Sequence, residues 1–306
     1  MKYYLSILLL FASFNLSAED KILRQIPNDF NMLASVNFEA IFQKEMPFIR
    51  EMIDEIDEEK LLKKFEDGGM NINLLKRLWF SNSIDANMHN NPGDWKWLIF
   101  IELTKDVELK KMLDLLKNEF KFEVKEGKVG DLKSFEINIE NQDAVIIQKS
   151  PRMIILGSKD SLKQSLRLSK MNKQDNLQYS LLGNKQIADL QATVNKHQLW
   201  ISCYTKNPNK FANITDLVFA LDFDKDLKVK SILNFSDEMS CNQVYQFWPM
   251  IKGFMMQDPK LQMENKHFFD TKFDTSIMFK IIFTKEVLRR AGMIKEQKAK
   301  EPDLKK

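Results

Sequence analysis

The stretch Leu217–Leu233, LVFALDF-DKD-LKVKSIL, decides the fold. Leu217, Phe219, Leu221 and Phe223 fall on one side of an extended chain. Asp224-Lys225-Asp226 supplies a polar turn, and Leu227, Val229 and Leu233 answer from the same side of the return arm. Period-two alternation on both sides of a short turn predicts an antiparallel hairpin with one apolar face. That face needs a cover. From Ser236 onward Val244, Phe247, Trp248, Ile251 and Met255 recur at helical spacing, which predicts one amphipathic helix capped by Ser236. Phe273, Ile277, Phe279, Ile281 and Phe283 then predict a long strand, and Thr284 caps a last helix reaching about Glu296.

Working back toward the N-terminus, the same grammar repeats. Asn31–Phe38 reads as a strand, and the stripe Ile49, Met52, Ile53, Ile56, Leu61, Leu62 and Phe65 as a long helix stopped by Gly68-Gly69. Strands follow at Leu78–Ile84 and Trp95–Leu103, then a helix opened by Asp106. Two hairpins turn at Gly127–Gly130 and at Ser150-Pro151, and Ser158 caps a helix to Leu168. The polar, aperiodic stretch Ser169–Asn176 reads as a linker. The fold class is α+β, with largely antiparallel sheets carrying helices on one face and two halves of similar plan. The expected boundaries are 19–170 and 177–296, followed by a charged, disordered tail at 297–306.

The first eighteen residues speak to destination rather than fold. Lys2 gives a basic start, Leu5–Phe14 an apolar core, and Asn15-Leu16-Ser17-Ala18 a polar, small-residue exit. This is the pattern of a signal peptide cleaved after Ala18. The apolar run is about half the roughly 20 residues a membrane span requires. No Cys follows it to carry a lipid, and no later run reaches span length, so no transmembrane anchor is expected after cleavage. The expected location is the periplasm or the extracellular space.

Composition narrows the function classes. A formal net charge of +3 over 306 residues is balanced, whereas nucleic-acid binding rests on concentrated positive charge. No nucleic-acid partner is expected. Twenty-three Phe beside nine Gly and eight Pro favour long regular elements. Cys203 and Cys241 are the only cysteines, and in an oxidising compartment they either pair as a disulfide or sit as separate buried thiols.

No motif carries chemistry on its own. The chain has no Gly-x-Ser-x-Gly elbow, no His-Glu-x-x-His and no phosphate-cradling glycine pattern, so no catalytic, metal or cofactor residue is assigned. The acidic cluster Asp54–Glu59 precedes Lys60, Lys63 and Lys64, as on a solvated helix face. His89, His197 and His267 are far apart in sequence. They would serve a hydrolase only if one lay within reach of both an acid and a hydroxyl in a cleft.

Several short segments resemble a diffuse group of exported bacterial α+β proteins of unknown function. They are Ile26-Pro27-Asn28-Asp29 before Met32–Asn37, the turn Asp67-Gly68-Gly69 before a short helix and strand, the strand–helix unit Leu98–Lys117, and Ile154–Leu162, where a strand ends in Gly-Ser before a helix. The resemblance spans about residues 26–204. It implies fold and export and brings no site residue with it.

The reading that follows is an exported, non-enzymatic binding or interaction module whose partner is a protein or an apolar ligand. Two alternatives stay open. One is a carrier of a lipid or other apolar molecule, with a cavity lined by Phe247, Trp248, Met255, Phe279 and Phe283. The other is a hydrolase with dispersed catalytic residues.

Overall fold

The hairpin forms with the register its alternation dictates. In the computed structural model Leu233 faces Leu217, Val229 faces Leu221 and Leu227 faces Phe223 across an antiparallel ladder. The structure describes residues 18–44, 74–83, 96–120, 123–139, 142–184, 197–204 and 213–292. The expected signal core, the long helix over Ile49–Phe65, His89 and the charged tail lie outside them.

In chain order the described elements begin with α1 (Ala18–Leu23), β1 (Met32–Val36), α2 (Phe38–Lys44), β2 (Leu75–Asn82), β3 (Trp97–Leu103) and α3 (Leu109–Phe120). Next come β4 (Val124–Val129), β5 (Leu132–Ile139), β6 (Gln142–Ser150), β7 (Met153–Gly157), α4 (Lys159–Lys170), α5 (Lys173–Tyr179) and β8 (Leu199–Tyr204). The chain continues through β9 (Ile214–Phe223), β10 (Leu227–Phe235), α6 (Glu238–Tyr245), α7 (Trp248–Gln257), β11 (Phe268–Lys272), β12 (Ser276–Phe283) and α8 (Lys285–Arg290). This is an α+β protein of antiparallel strands, folded into two compact units.

The first unit contains described residues 18–36, those between 75 and 184, and 201–204. Its strands run β1-β2-β3-β7-β6-β5-β4, each antiparallel to the next. Helix α3 sets Leu109 and Leu113 against Phe135, Ile137, Ile146 and Ile154. Residues of the opposite parity, Leu98, Phe100, Ile147 and Ile155, are fully buried on the other face. Gly157 ends β7 so tightly that a Cβ there would stand 2.6 Å from the Trp97 carbonyl oxygen. Ser158 then caps α4 by accepting from the Ser161 amide, as its position predicts.

The expected linker proves to be structure. Residues after Lys170 form α5 inside the first unit, because Asn172 caps it and Asn176 pins it. The fully buried Asn176 donates from Nδ2 to the Arg24 and Leu168 carbonyls, both at 2.8 Å, and accepts from the Ser180 hydroxyl at 2.9 Å. Around it the Leu181 amide donates to the Ile26 carbonyl and the Asn28 amide to the Tyr179 carbonyl. A polar composition thus marks an internal hydrogen-bonded clasp on the α1 segment, whose Ile22, Leu23 and Ile26 lie in the core.

The second unit contains described residues 37–44, 74, 197–200 and 213–292, with strands in the order β11-β12-β10-β9. The long strand expected from Phe273 is instead the pair β11–β12, with Phe273 in the turn between them. Thr284 caps α8 by accepting from the Val287 amide at 3.3 Å. The helix expected after Ser236 divides in two. Asp237 rather than Ser236 caps α6, accepting from the Ser240 amide at 2.7 Å. A new helix, α7, starts at Trp248, with Pro249 in its first turn, where a missing N–H costs nothing.

Asn176→Leu removes three buried hydrogen bonds and leaves their partners unsatisfied, and is expected to lower stability by about 2–4 kcal/mol. Urea denaturation of both proteins measures it; a loss below about 0.5 kcal/mol would show that the clasp contributes little.

Candidate functional site

Helix α7 reads Trp-Pro-Met-Ile-Lys-Gly-Phe-Met-Met-Gln and is apolar on more than one side. Its inner face is anchored by Trp248, which is 5% exposed. The indole packs on Phe279 with ring centroids 4.2 Å apart and meets Phe268 edge-on at 6.2 Å. Met255, Met256, Ile281 and Phe283 complete that cluster. On α6, Cys241 is buried against Phe235 and Ile277, with Val244 and Tyr245 beside them. The inner faces of the two helices therefore cover β10, β11 and β12, whereas on β9 Leu217 stays exposed and Val218 and Ala220, of the opposite parity, are buried.

The outer face of α7 has no cover among the described residues. Phe247 is 58% exposed, Met250 52%, Ile251 43% and Phe254 67%. Their spacing of three, one and three residues places them along one ridge of the helix. Isolated exposed apolar residues are ordinary, but a continuous row of large ones marks an interaction surface. Met239 on α6 adds a further exposed side chain at 70%.

Charge is absent from this ridge for a structural reason. Lys252 is the one charged residue of α7, and it is turned back onto the sheet. Its ammonium lies 4.0 Å from Asp270 Oδ1 on β11 and 5.8 Å from the centroid of the Phe268 ring. The Tyr245 hydroxyl donates to Asp270 Oδ2 at 2.5 Å. Burial works against the Asp270 charge, but Tyr245, Trp248 and Lys252 outweigh it and hold its carboxyl below the usual range. Lys252 thus fastens α7 to β11, and Tyr245 ties the end of α6 to the same carboxylate.

The residues singled out as a carrier lining separate by face. Trp248, Met255, Phe279 and Phe283 are packed against one another, while Phe247 points outward. None of the five lines the cavities of about 870, 690 and 460 Å³ described for this chain, all three of which lie in the first unit. The two larger ones, of about 870 and 690 Å³, have paired charges on their walls: Lys111 with Glu108 in the first, Lys159 with Glu136 in the second.

Cys203 lies half-buried on β8 in the first unit, and Cys241 lies buried on α6 in the second. Each sulfur faces a carbonyl oxygen, Cys203 that of Tyr204 and Cys241 that of Phe273, and burial pushes the Cys241 thiol pKa up. Of the histidines, His197 Nδ1 lies 2.5 Å from Asp222 Oδ2, but its Nε2 is buried with no hydroxyl or other partner. His267 Nδ1 accepts from the Glu264 amide at 2.9 Å and serves a helix cap. Neither combines an acid with a hydroxyl in a cleft, and His89 lies outside the described residues. No group of three or more His, Cys, Asp or Glu able to hold a metal occurs among the described residues. No described helix is long and apolar enough to cross a membrane.

Comparison of the sequence with known protein families and with curated proteins finds no match. Among solved structures, crystal form III of TP0453 is similar at 8% identity and a TM-score of 0.46, covering 89% of this chain and 97% of that one. Crystal form I of TP0453 is similar at 9% identity and a TM-score of 0.45, covering 92% of this chain and 98% of that one. Neither likeness bears on what this chain binds.

The two faces of α7 should respond differently to truncation. Trp248→Ala is expected to cost about 3–5 kcal/mol, and Phe254→Ala to stay within about 0.5 kcal/mol of the parent. Thermal or urea denaturation of the pair checks this; a loss at Phe254 as large as that at Trp248 would make the ridge part of the core.

Proposed function

We propose that this protein is exported by its N-terminal segment and acts as a non-enzymatic binding module that docks on a lipid surface through the outer ridge of α7. The exposed row Phe247, Met250, Ile251 and Phe254 carries the reading. These side chains stand on the convex side of a helix rather than lining a cavity, a shape suited to entering a deformable apolar medium. An interfacial helix of this kind buries its apolar side at the boundary between headgroups and acyl chains.

Charge complementarity favours an anionic surface. Residues 246–292 contain eight Lys and Arg against five Asp and Glu. Lys260 and Arg289 are exposed and have no acidic partner among the described residues. The four ridge residues are about half exposed, so transferring them into lipid contributes roughly 3–6 kcal/mol before the costs of association. That magnitude supports reversible attachment rather than permanent anchoring.

Sedimentation with vesicles of phosphatidylethanolamine and phosphatidylglycerol tests the proposal. The protein should co-sediment, and Ile251→Glu or Phe254→Glu should abolish this while leaving the unfolding midpoint within a few degrees of the parent. Raising salt should weaken the binding without removing it, because screening acts on the lysines and arginines and not on the apolar ridge. A protein that stays in the supernatant with both neutral and anionic vesicles would overturn the reading.

A further inference from the structure

In the first unit β6 carries one residue more than its partner strand. Gln148 pairs with Ile154 and Ser150 with Met153, so Lys149 is the extra residue of a β-bulge. Bulges redirect side chains. Gln148 is committed to α3, accepting from the Leu109 amide at 3.1 Å and donating to the Val107 carbonyl at 2.5 Å. Lys149 reaches the segment after α1, where its ammonium donates to Gln25 Oε1. Gln25 is itself buried, and its amide is oriented by an Nε2 bond to the Lys21 carbonyl at 2.7 Å. A half-buried ammonium is therefore held by a neutral amide, where an ion pair would be the ordinary solution.

A cavity of about 460 Å³ opens beside it. Lys21, Arg24 and Lys149 supply its charge, Ser150 and Ser169 its hydroxyls, and Ile22, Met153 and Leu168 an apolar wall. The one acid that reaches this cavity, Glu102, is engaged by Lys76 at 2.8 Å. Lys21, Arg24 and Lys149 have no acidic partner among the described residues. In the two larger cavities paired lysines and carboxylates balance each other, whereas here three cations share one concavity without balance. Burial lowers the Lys149 pKa to about 8, with no carboxylate acting against it.

We propose that this cavity binds a small oxyanion of the phosphate class, with Lys149, Arg24 and Lys21 on its charged head and Met153 and Leu168 against its body. Three cations suit a dianion better than a single carboxylate. The cavity exceeds what a bare phosphate fills, which favours a phosphate ester. Such a head comes from either a soluble phosphomonoester or a phospholipid.

Calorimetric titration of the purified protein with sulfate tests the site, because the charge of sulfate does not change near neutral pH. Saturable binding is expected, weakening about tenfold between about pH 7 and about pH 9 as Lys149 loses its proton. The other charged groups facing the cavity are Lys21 and Arg24, from α1 and the turn after it, and Glu102 from β3. Lys149→Gln should weaken binding at least about tenfold and remove that pH dependence; Arg24→Gln should weaken it and keep the pH dependence. Glycerol 3-phosphate and a short-chain phosphatidic acid then separate the sources: equal affinity means a soluble ester, and much tighter binding of the latter means a lipid. Absence of saturable sulfate binding, or binding that neither substitution changes, would overturn the proposal.

Discussion

The packing of Trp248 on Phe279 determines which side of α7 is buried, and the character of the second unit follows from it. A ten-residue helix with apolar residues on more than one side can press only one of them against a sheet. The indole, with Phe268 at its edge and Met255 and Met256 farther along the helix, takes the inner position. Lys252 then fastens this helix to Asp270, and Tyr245 ties the end of α6 to the same carboxylate. Once these contacts are made, Phe247, Met250, Ile251 and Phe254 are left uncovered among the described residues. The exposed ridge is the geometric remainder of a well-packed inner face and not a failure of packing.

The first unit solves a different problem. Its central strands bury apolar residues on both faces, and its N-terminal segment is held by a polar clasp rather than a hydrophobic one. Asn176 satisfies two carbonyls and one hydroxyl in a site with no access to water. Nearby, Lys149 is brought inward by a bulge and meets Gln25, with no carboxylate partner among the described residues. Both features concern how buried polar groups are compensated, fully in the first case and incompletely in the second. Incomplete compensation is what distinguishes a binding cavity from a structural knot.

Alternation and helical spacing made much of the architecture legible. The hairpins around Ser150-Pro151 and Asp224–Asp226 form where period two and turn chemistry place them, as do the caps at Ser158 and Thr284. The turn expected over Gly127–Gly130 narrows to Gly130-Asp131, with Gly127 paired in β4. The division of the helix after Ser236 was less visible. A uniform 3.6-residue stripe put Phe247 and Ile251 on the same side as Trp248. The break before Pro249 starts a new helix whose inner side carries Trp248 and Met255 instead. Asn176 falls in a stretch whose composition reads as a linker because composition does not record its three buried hydrogen bonds, one of them to Arg24, far away in sequence. The bulge at Lys149 was invisible for a similar reason: an extra residue in one strand shows only against its partner.

Amide hydrogen exchange, with and without anionic phospholipid vesicles, measures most directly whether the outer face of α7 is the binding surface. Vesicles should slow exchange across residues 247–257 and leave β5–β7 of the first unit unchanged. Unaltered exchange in α7 with vesicles present, or protection confined to other segments, would contradict the assignment of that ridge to lipid.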